Sequence, residues 1–347
     1  MQLLKELTET PGVAGREERI REVVLKQLKP HVDSIEVDAL GNVIGLKKGG
    51  GRPRIMVAAH MDQIGFLVSH IDDRGFLRFA PVGGFDPRVL NARHCYVHGR
   101  KDVRGVMAMG GKPTHLQDEE DRKKAPKLTD YYIDLGLPVN KVKQLVEVGD
   151  PVTFAQETVT FGDCVAGQCL DDRVGVYVLL EAAKRVKKPK GDVYWVVTVQ
   201  EEVGLRGALT SAYGIEPDIG IAVDITIAAD TPMTDGAPRV SELGGGAAIK
   251  VMDSASISDP RLVQQCRALC EKHRIPYQLE ILPRGGTDAG AVQRARAGVP
   301  AITLSIPTRY AHTIIEMANR GDIEATVALL TRTVEAATSA WVKPPKV

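Results

Sequence analysis

Runs of apolar residues alternate with amphipathic helical patterns over most of this chain. Unbroken apolar runs, such as Ile55–Ala59 and Val193–Val199, predict strands that are buried on both faces. Between and after these runs, apolar residues at helical spacing predict helices over 172–186, 260–273 and 322–341. This alternation of strands and helices is typical of an α/β domain.

The pattern changes in the middle of the chain. Short strands with alternating apolar and polar residues follow one another there, and glycine-containing turns separate them. We therefore predict a small β-barrel at residues 65–159, inserted into an α/β domain that consists of residues 1–64 and 160–347. Within the insert, residues 110–127 are polar and charged, and this composition predicts a mobile surface loop.

Composition and charge argue against several classes of protein. The 347 residues carry a net charge of +1, which gives no electrostatic reason to expect a nucleic acid or a membrane as a partner. No apolar run reaches the roughly 20 residues that span a bilayer, and the first residues do not resemble a signal peptide. The five cysteines are scattered, as expected for reduced thiols. We therefore expect a cytoplasmic protein.

Side chains of the types that bind metals occur where predicted strands end or a predicted helix begins. In open α/β sheets, ligands bind outside the carboxyl ends of the strands. Hydrolases with two metals need one bridging carboxylate and several terminal ligands. Five residues supply such a set with none to spare: His60, Asp171, Glu202, Asp224 and His312. The sequence therefore predicts a centre for metal-assisted hydrolysis.

Two further acids lie next to these candidates. Asp62 follows His60 by two residues, so in an extended segment it can reach the imidazole ring and fix its tautomer. Glu201 precedes Glu202, and adjacent side chains of an extended segment face opposite ways. One of them can then bind metal while the other acts as a general base. The alternatives are a solvated Asp62, two exposed glutamates, and a pair of acids, Asp171 and Asp172, that only cap a helix.

A glycine-rich segment before a predicted helix is a candidate for substrate binding. Gly286, Thr287 and Asp288 could place a substrate carboxylate or carbonyl at the helix N-terminus. The same residues fit a tight strand-to-helix turn equally well. The chain has no Gly-x-Ser-x-Gly motif and no Walker loop, which argues against serine hydrolases and P-loop enzymes.

Taken together, these motifs give the chain a recognisable pattern. It resembles the tetrahedral (TET) aminopeptidases of metallopeptidase family 42, a group that includes glutamyl aminopeptidases and proteins labelled endoglucanase M. The resemblance covers nearly the whole chain. It is carried by Thr10–Gly15, Ala59–Asp62, Val148–Phe154, Leu170–Arg173, Gln200–Gly204, Val223–Asp224, Gly286–Ala289 and Ala311–His312.

The resemblance implies a fold, a site and an assembly. The fold would be a mixed sheet flanked by helices, of the zinc-exopeptidase type, with an inserted β-barrel that forms dimers. The site would hold two divalent metal ions per subunit, with zinc expected and cobalt or manganese as alternatives. By motif position, His60 and Asp224 would hold one ion, Glu202 and His312 the other, Asp171 would bridge, and Glu201 would be the base. The partners would be short peptides as substrates and further copies of the chain, in dimers and a tetrahedral dodecamer.

The leading hypothesis is thus an aminopeptidase, with two alternatives. A glycosidase of the endoglucanase type is suggested by the paired carboxylates. It would need two carboxyl groups about 5–9.5 Å apart across a sugar, and the chain contains only 5% aromatic residues to stack on sugar rings. A catalytically inactive scaffold is the other alternative. A missing ligand or base would indicate it, and none is missing.

Overall fold

The computed structural model describes residues 1–112, 114–119, 123–233 and 240–343. The chain forms two compact units. The first consists of Met1–Gln63, Thr158–Ala311 and Ile315–Val347, and the second of Ile64–Glu157 and His312–Ile314. The predicted fold class is confirmed, because the first unit contains a mixed sheet flanked by helices and the second contains a closed β-barrel.

The helices and strands of the described residues have the following bounds. The helices are α1 (Gln2–Glu9), α2 (Glu18–Leu28), α3 (Val139–Leu145), α4 (Leu170–Arg185), α5 (Arg206–Ile215), α6 (Pro260–His273), α7 (Asp288–Gln293) and α8 (Arg320–Ala336). The strands are β1 (Ser34–Val37), β2 (Val43–Lys47), β3 (Ile55–His60), β4 (Gly65–Ile71), β5 (Leu77–Val82), β6 (Arg93–His98), β7 (Asp102–Met109), β8 (Tyr131–Asp134), β9 (Pro151–Phe154), β10 (Val159–Phe161), β11 (Cys164–Gly167), β12 (Val193–Thr198), β13 (Ile219–Ile227), β14 (Ala247–Met252), β15 (Tyr277–Ile281), β16 (Ala301–Arg309) and β17 (Glu316–Asn319).

The described strands of the first unit form an eleven-stranded sheet. Its order is β1-β2-β12-β3-β13-β16-β17-β11-β10, and β14 pairs with both β16 and β15. The central strands β12, β3, β13 and β16 are parallel to one another. Their apolar runs are buried on both faces, as expected for parallel strands between helices. Since the strands are parallel, their carboxyl ends reach the same edge of the sheet.

Helices cover both faces of this sheet. On one face, α4, α6 and α8 contribute apolar side chains to the main hydrophobic core, which also contains Trp195. In α6 the buried residues Leu262, Cys266 and Cys270 recur every four positions, which is the spacing of one helix face. On the other face, alanines of α5 and α7 pack against Met56. The prediction of a helix at 260–273 is confirmed.

The second unit is a closed barrel of the described strands β4-β5-β8-β7-β6-β9. Buried and exposed residues alternate along β7, so one side of the strand faces the barrel interior. The interior contains its own hydrophobic core, in which Phe66 stacks on Phe85 with ring centroids 4.4 Å apart. The predicted surface loop at 110–127 includes residues 113 and 120–122, which lie outside the described residues.

The structure differs from the sequence analysis at three strands. Asp224 lies inside β13, which continues to Ile227, and not after the end of the strand. The sequence analysis also did not predict β14 or β17. Each of these strands contains a buried charged residue, which is Lys250 in β14 and Glu316 in β17.

In the part of the chain that the structure describes, no helix combines the length and the apolar character required to cross a membrane.

Candidate metal centre

His60 occupies the last position of β3 and is only 2% exposed. Its Nδ1 atom donates a hydrogen bond to the backbone carbonyl oxygen of Asp62, 3.1 Å away. A carbonyl oxygen can only accept, so Nδ1 carries the proton. In neutral His60 the lone pair is therefore on Nε2, which is the state that binds a metal ion.

Asp171 and Asp172 lie at the start of α4 and do not have helical backbone angles. The Oδ1 atom of Asp171 is 3.1 Å from Nε2 of His60, and its backbone amide donates to Oε2 of Glu316 at 2.8 Å. Asp172 is fully buried, and its carboxylate accepts from the amides of His60 and Gly175. Asp172 thus caps the helix, as the alternative interpretation held, whereas Asp171 reaches the imidazole.

Glu201 and Glu202 lie in a turn that follows β12. Gln200 has a left-handed φ of 55°, and the amides of Gly204 and Leu205 both donate to the carbonyl oxygen of Glu201 at 2.9 Å. The expected extended segment is therefore wrong, because the chain folds back within five residues. Any difference in orientation between the two glutamate side chains therefore arises from this turn and not from the alternation of side chains along a strand.

Asp62 supports this turn. Its Oδ1 and Oδ2 atoms accept hydrogen bonds from the backbone amides of Glu201 and Glu202, at 3.0 and 3.1 Å. Its Oδ1 atom lies 3.5 Å from Nδ1 of His60, farther than the carbonyl oxygen of the same residue. The expected contact between the carboxylate and the ring is thus a minor one, since the carboxylate mainly orients the backbone of the two glutamates.

Four of the five predicted ligands meet in the first unit, together with the predicted base. The possible ligand atoms of His60, Asp171 and Glu202 all lie within 4.8 Å of one another, and so do those of His60, Glu201 and Asp224. His60 belongs to both groups. Zinc bonds of about 2.1 Å place two tetrahedral ligands roughly 3.4 Å apart. The 3.1 Å between His60 and Asp171 is close to that spacing.

Four acids of this region have pKa values above their ordinary range. Burial is the largest cause for Asp172, Glu201, Asp224 and Asp288, because a carboxylate loses its hydration there. Neighbouring carboxylates raise the values further, and for Asp288 the pKa reaches about 6. Burial would lower the pKa of His60, but Glu201 and other carboxylates raise it well above its ordinary value.

These shifts indicate that the site needs positive charge. Several carboxylates converge on one imidazole in a largely buried space, and like charges at such distances cannot all ionise without a compensating cation. Carboxylate oxygens and an imidazole nitrogen are ligands that zinc, manganese and cobalt accept. The residues therefore fit divalent cations.

His312 belongs to the other compact unit. It groups with the barrel as part of His312–Ile314, has a left-handed φ of 58°, and its Nδ1 donates to the carbonyl oxygen of Gly84 at 3.2 Å. As in His60, this hydrogen bond places the proton of the neutral ring on Nδ1 and the lone pair on Nε2. The role of His312 as a metal ligand stays a prediction.

The predicted substrate-binding segment is only partly accessible. Gly286 is exposed, but Thr287 and Asp288 are buried. The hydroxyl group of Thr287 bonds with that of Thr303 at 2.9 Å, and Asp288 accepts a 2.5 Å hydrogen bond from Thr198. These side chains join α7 to the sheet, so a role in substrate binding would fall to the backbone near Gly286 and stays a prediction.

The sequence analysis did not select three residues that support the site. Glu316 accepts from the amide of Asp171, Glu17 accepts from the amide of Gln200, and Thr198 bonds Asp288. Glu316 is an acid inside an otherwise apolar segment, and Glu17 lies two residues after the Thr10–Gly15 motif of the resemblance. Both features are visible in the sequence, but neither indicates the partner.

Two models of known protein families match this chain. Residues 41–329 match the model of the family described as M42 glutamyl aminopeptidase. A second model, AMPT, matches residues 1–24. The lysyl aminopeptidase of Pyrococcus furiosus is 38% identical over 335 residues, which cover 94% of this chain and 94% of that protein.

Solved structures of the same family have nearly the same fold. Aminopeptidase APDkam598 from the archaeon Desulfurococcus kamchatkensis has a TM-score of 0.94 and 40% identity, covering 99% of this chain and 96% of that one. The TET1 peptidase of Pyrococcus horikoshii has a TM-score of 0.86 and 36% identity, covering 97% and 99%. The latter is described as assembling into a tetrahedron or a large octahedral shell.

Proposed function

The chain belongs to the family of M42 glutamyl aminopeptidases, and from that premise we propose that it releases N-terminal residues from short peptides at a centre with two divalent metal ions. The aminopeptidase activity follows from the family. The observation that supports the centre is the convergence of His60, Asp171 and Glu202, and of His60, Glu201 and Asp224.

Each predicted ligand has a place in this proposal. His60 and Asp224 would hold one ion, Glu202 and His312 would hold the other, and Asp171 would bridge them. When bound, such ions lower the pKa of a water molecule and polarise the carbonyl group of the scissile peptide. We propose zinc, with cobalt or manganese as alternatives, because all three accept imidazole and carboxylate ligands.

Glu201 would be the general base. It would accept a proton from the attacking water and donate it to the amine that leaves. Burial raises the pKa of Glu201, with Asp224 and Asp288 adding to the rise and His60 opposing it. Asp62 would orient Glu201 through the backbone.

The glycosidase alternative is not favoured. The Pyrococcus furiosus relative is named an aminopeptidase. The carboxylates also gather around one imidazole in two groups, and within each group the possible ligand atoms lie within 4.8 Å of one another. This arrangement does not resemble two carboxyl groups on either side of a sugar. Hydrolysis of a soluble glucan by the metal-stripped protein would contradict this conclusion.

The Glu201→Gln variant tests the proposed base. It should retain both ions and lose roughly 10²- to 10⁴-fold in kcat, because only the proton acceptor is removed. Glu202→Gln is the matched control, since it should lose bound metal. Metal counting by mass spectrometry and turnover of aminoacyl chromogenic substrates would be measured. An active Glu201→Gln, or one that loses metal, would show that the roles are wrongly assigned.

We also propose that the chain assembles into dimers through the inserted barrel and then into a tetrahedral dodecamer. The support is its likeness to the TET1 peptidase of Pyrococcus horikoshii. Light scattering of the purified protein would test this, and a monomer at all concentrations would contradict it. A cytoplasmic location stays a prediction, and fractionation of cells would test it.

A further inference from the structure

Three consecutive backbone amides of the turn after β12 donate to just two acidic side chains. The amides of Glu201 and Glu202 donate to Asp62, and the amide of Gln200 donates to Oε1 of Glu17 at 3.2 Å. The same Oε1 atom accepts from the amide of Gly15 at 2.7 Å. Glu17 therefore connects the N-terminal loop to the residue that precedes the proposed base.

Glu17 is held in place by its surroundings. It is 2% exposed and precedes α2, but its side chain makes no capping bond to that helix. The loop before it is fixed to the segment after β3, because Ala14 donates to the carbonyl oxygen of Gln63 and Gln63 donates to that of Gly12. Arg173 further fixes the loop through the carbonyl oxygens of Leu7 and Thr10. The Oε1 atom of Glu17, which accepts from the amide of Gln200, is thus held in place by the surrounding backbone.

We propose that Glu17 is a positioning residue for catalysis, which holds Gln200 in its left-handed conformation and thereby aims the side chain of Glu201. This inference rests on the proposed role of Glu201 as base. Gln200 has a φ of 55°. Such a positive φ is unfavourable for a residue other than glycine, unless contacts with the surrounding structure stabilise it. Without the acceptor from Glu17, the amide of Gln200 loses its hydrogen-bond partner, and we expect the turn to shift Glu201 out of the geometry that proton transfer requires.

The acceptor atom matters here more than the charge. Both amides bond to the same oxygen, and a glutamine side chain offers an oxygen at the same place. Burial raises the pKa of Glu17 to about 7, with the Gly15 amide opposing and the charge of Asp62 adding to the rise. A substantial fraction of Glu17 is therefore uncharged near neutral pH. Glu17→Gln should keep the function that Glu17→Ala loses.

The test compares kcat, KM and metal content for these variants of the full-length enzyme. Glu17→Ala should lose up to roughly 100-fold in kcat, because a small displacement of a catalytic group costs that much. KM and the number of bound ions should stay at the wild-type values. Glu17→Gln should stay within about threefold of the wild-type kcat. Should Glu17→Ala not fold, Glu17→Asp, whose carboxylate is one methylene shorter, replaces it.

Two control variants separate positioning from stability. Val24→Ala removes a buried side chain of α2 and should lower the melting temperature while kcat is unchanged. Glu18 is the exposed neighbour of Glu17, and Glu18→Ala should change neither the melting temperature nor kcat. If Val24→Ala and Glu17→Ala lose kcat equally, or if Glu17→Gln is as slow as Glu17→Ala, the positioning role is overturned.

The outcome for Glu201→Gln distinguishes the two proposals. If Glu201→Gln is inactive while Glu17→Ala has the wild-type kcat, the inference about Glu17 fails and the proposed function stands. If Glu201→Gln is active, the proposed base is wrong whatever Glu17→Ala does. If both variants are slow and Glu17→Gln is fast, both proposals hold.

Discussion

Nε2 of His60 lies 3.1 Å from Oδ1 of Asp171, so two proposed metal ligands face each other across the distance that separates two ligands of one ion. Burial lowers the pKa of His60, but Glu201, this contact with Asp171 and the nearby Asp62 together raise it well above its ordinary value. The site thus holds protons that metal ions must displace.

This relationship predicts how metal binding depends on pH. Asp172, Glu201, Asp224 and His60 all have raised pKa values, so they retain protons at a pH where free side chains would release them. Metal affinity should therefore increase with pH, and binding should release protons. Calorimetric titration at pH 6 and pH 8 in two buffers of different ionisation enthalpy would measure both. Uptake of protons on binding would contradict the prediction.

The stability of the metal-free protein should show the opposite trend. A raised folded-state pKa contributes stability that is fully present below the unfolded value and is lost as the pH rises through the folded value. For Asp288 this window runs from 3.8 to about 6. The melting temperature of the chelator-treated protein should fall as pH rises through this range, and the gap to the metal-loaded protein should widen. Parallel curves for the two forms would argue against a site that needs cations.

A second prediction concerns Asp62. In Asp62→Asn, one of the two acceptors becomes an amide nitrogen, which would face the backbone amide of Glu201 or Glu202 as donor against donor. We expect kcat to fall about 10- to 100-fold through displacement of the turn. Steady-state kinetics with one aminoacyl substrate would measure the effect.

Asp322 provides the matched control for Asp62. It is also buried, and its two oxygens accept from the amides of Gly244 and Gly246, at 2.7 and 2.8 Å. Asp322→Asn should therefore lower the melting temperature in a similar way but leave kcat unchanged. If Asp62→Asn and Asp322→Asn lose kcat equally, the loss in Asp62→Asn results from lower stability of the fold and not from displacement of the turn.

The sequence predicts most elements of the fold because their periodicities are strong. The helix over 260–273 has apolar residues on one face and a proline at its first position, so both its type and its bounds are visible. The strands β14 and β17 are not visible in this way. Each contains a buried charged residue, Lys250 or Glu316, that is compatible with a strand only because a partner elsewhere in the chain compensates it.

The candidate site could be predicted in its residues but not in its detailed geometry. Their positions at strand ends and at the start of a helix marked His60, Asp171 and Asp224 as candidate ligands, and the structure brings both acids close to His60. The turn at Gln200 could not be predicted, because a glutamine gives no signal for a left-handed φ. The acceptor functions of Asp62 and Glu17 depend on that turn, so they could not be inferred from the sequence.

A third prediction concerns Lys250 and Glu280, neighbours in β14 and β15 whose side chains are fully buried. The Nζ atom of Lys250 lies 2.9 Å from Oε1 of Glu280. The two groups form an ion pair, but their geometry does not meet the angles of a hydrogen bond. Glu280 also accepts from Thr226 and Ser305. Lys250→Met should lower the free energy of unfolding by about 3–5 kcal/mol, because Glu280 is left as an unpaired buried charge. Urea denaturation would measure the loss.

Two further variants control for this effect. The double variant Lys250→Met/Glu280→Gln removes both charges. It should therefore recover most of the free energy of unfolding that Lys250→Met alone loses. Arg332→Met breaks an exposed ion pair with Glu335 and should cost less than about 1 kcal/mol. If the double variant is as unstable as Lys250→Met, the cost comes from packing around the lysine and not from the unpaired carboxylate.

The last prediction concerns the inserted barrel. The core of the first unit is formed by residues outside the insert, and the barrel has a core of its own, to which Ile314 also contributes. Replacing residues 64–157 by a short glycine linker should therefore leave a cooperatively folded protein, since the buried apolar surface of the sheet and its helices is retained. If the barrel forms the dimer, as we propose, this variant should be a monomer in light scattering while the full-length chain forms the large particle. A truncated protein that still assembles would show that the contacts lie on the first unit, and one that fails to fold would show that the two cores are not independent.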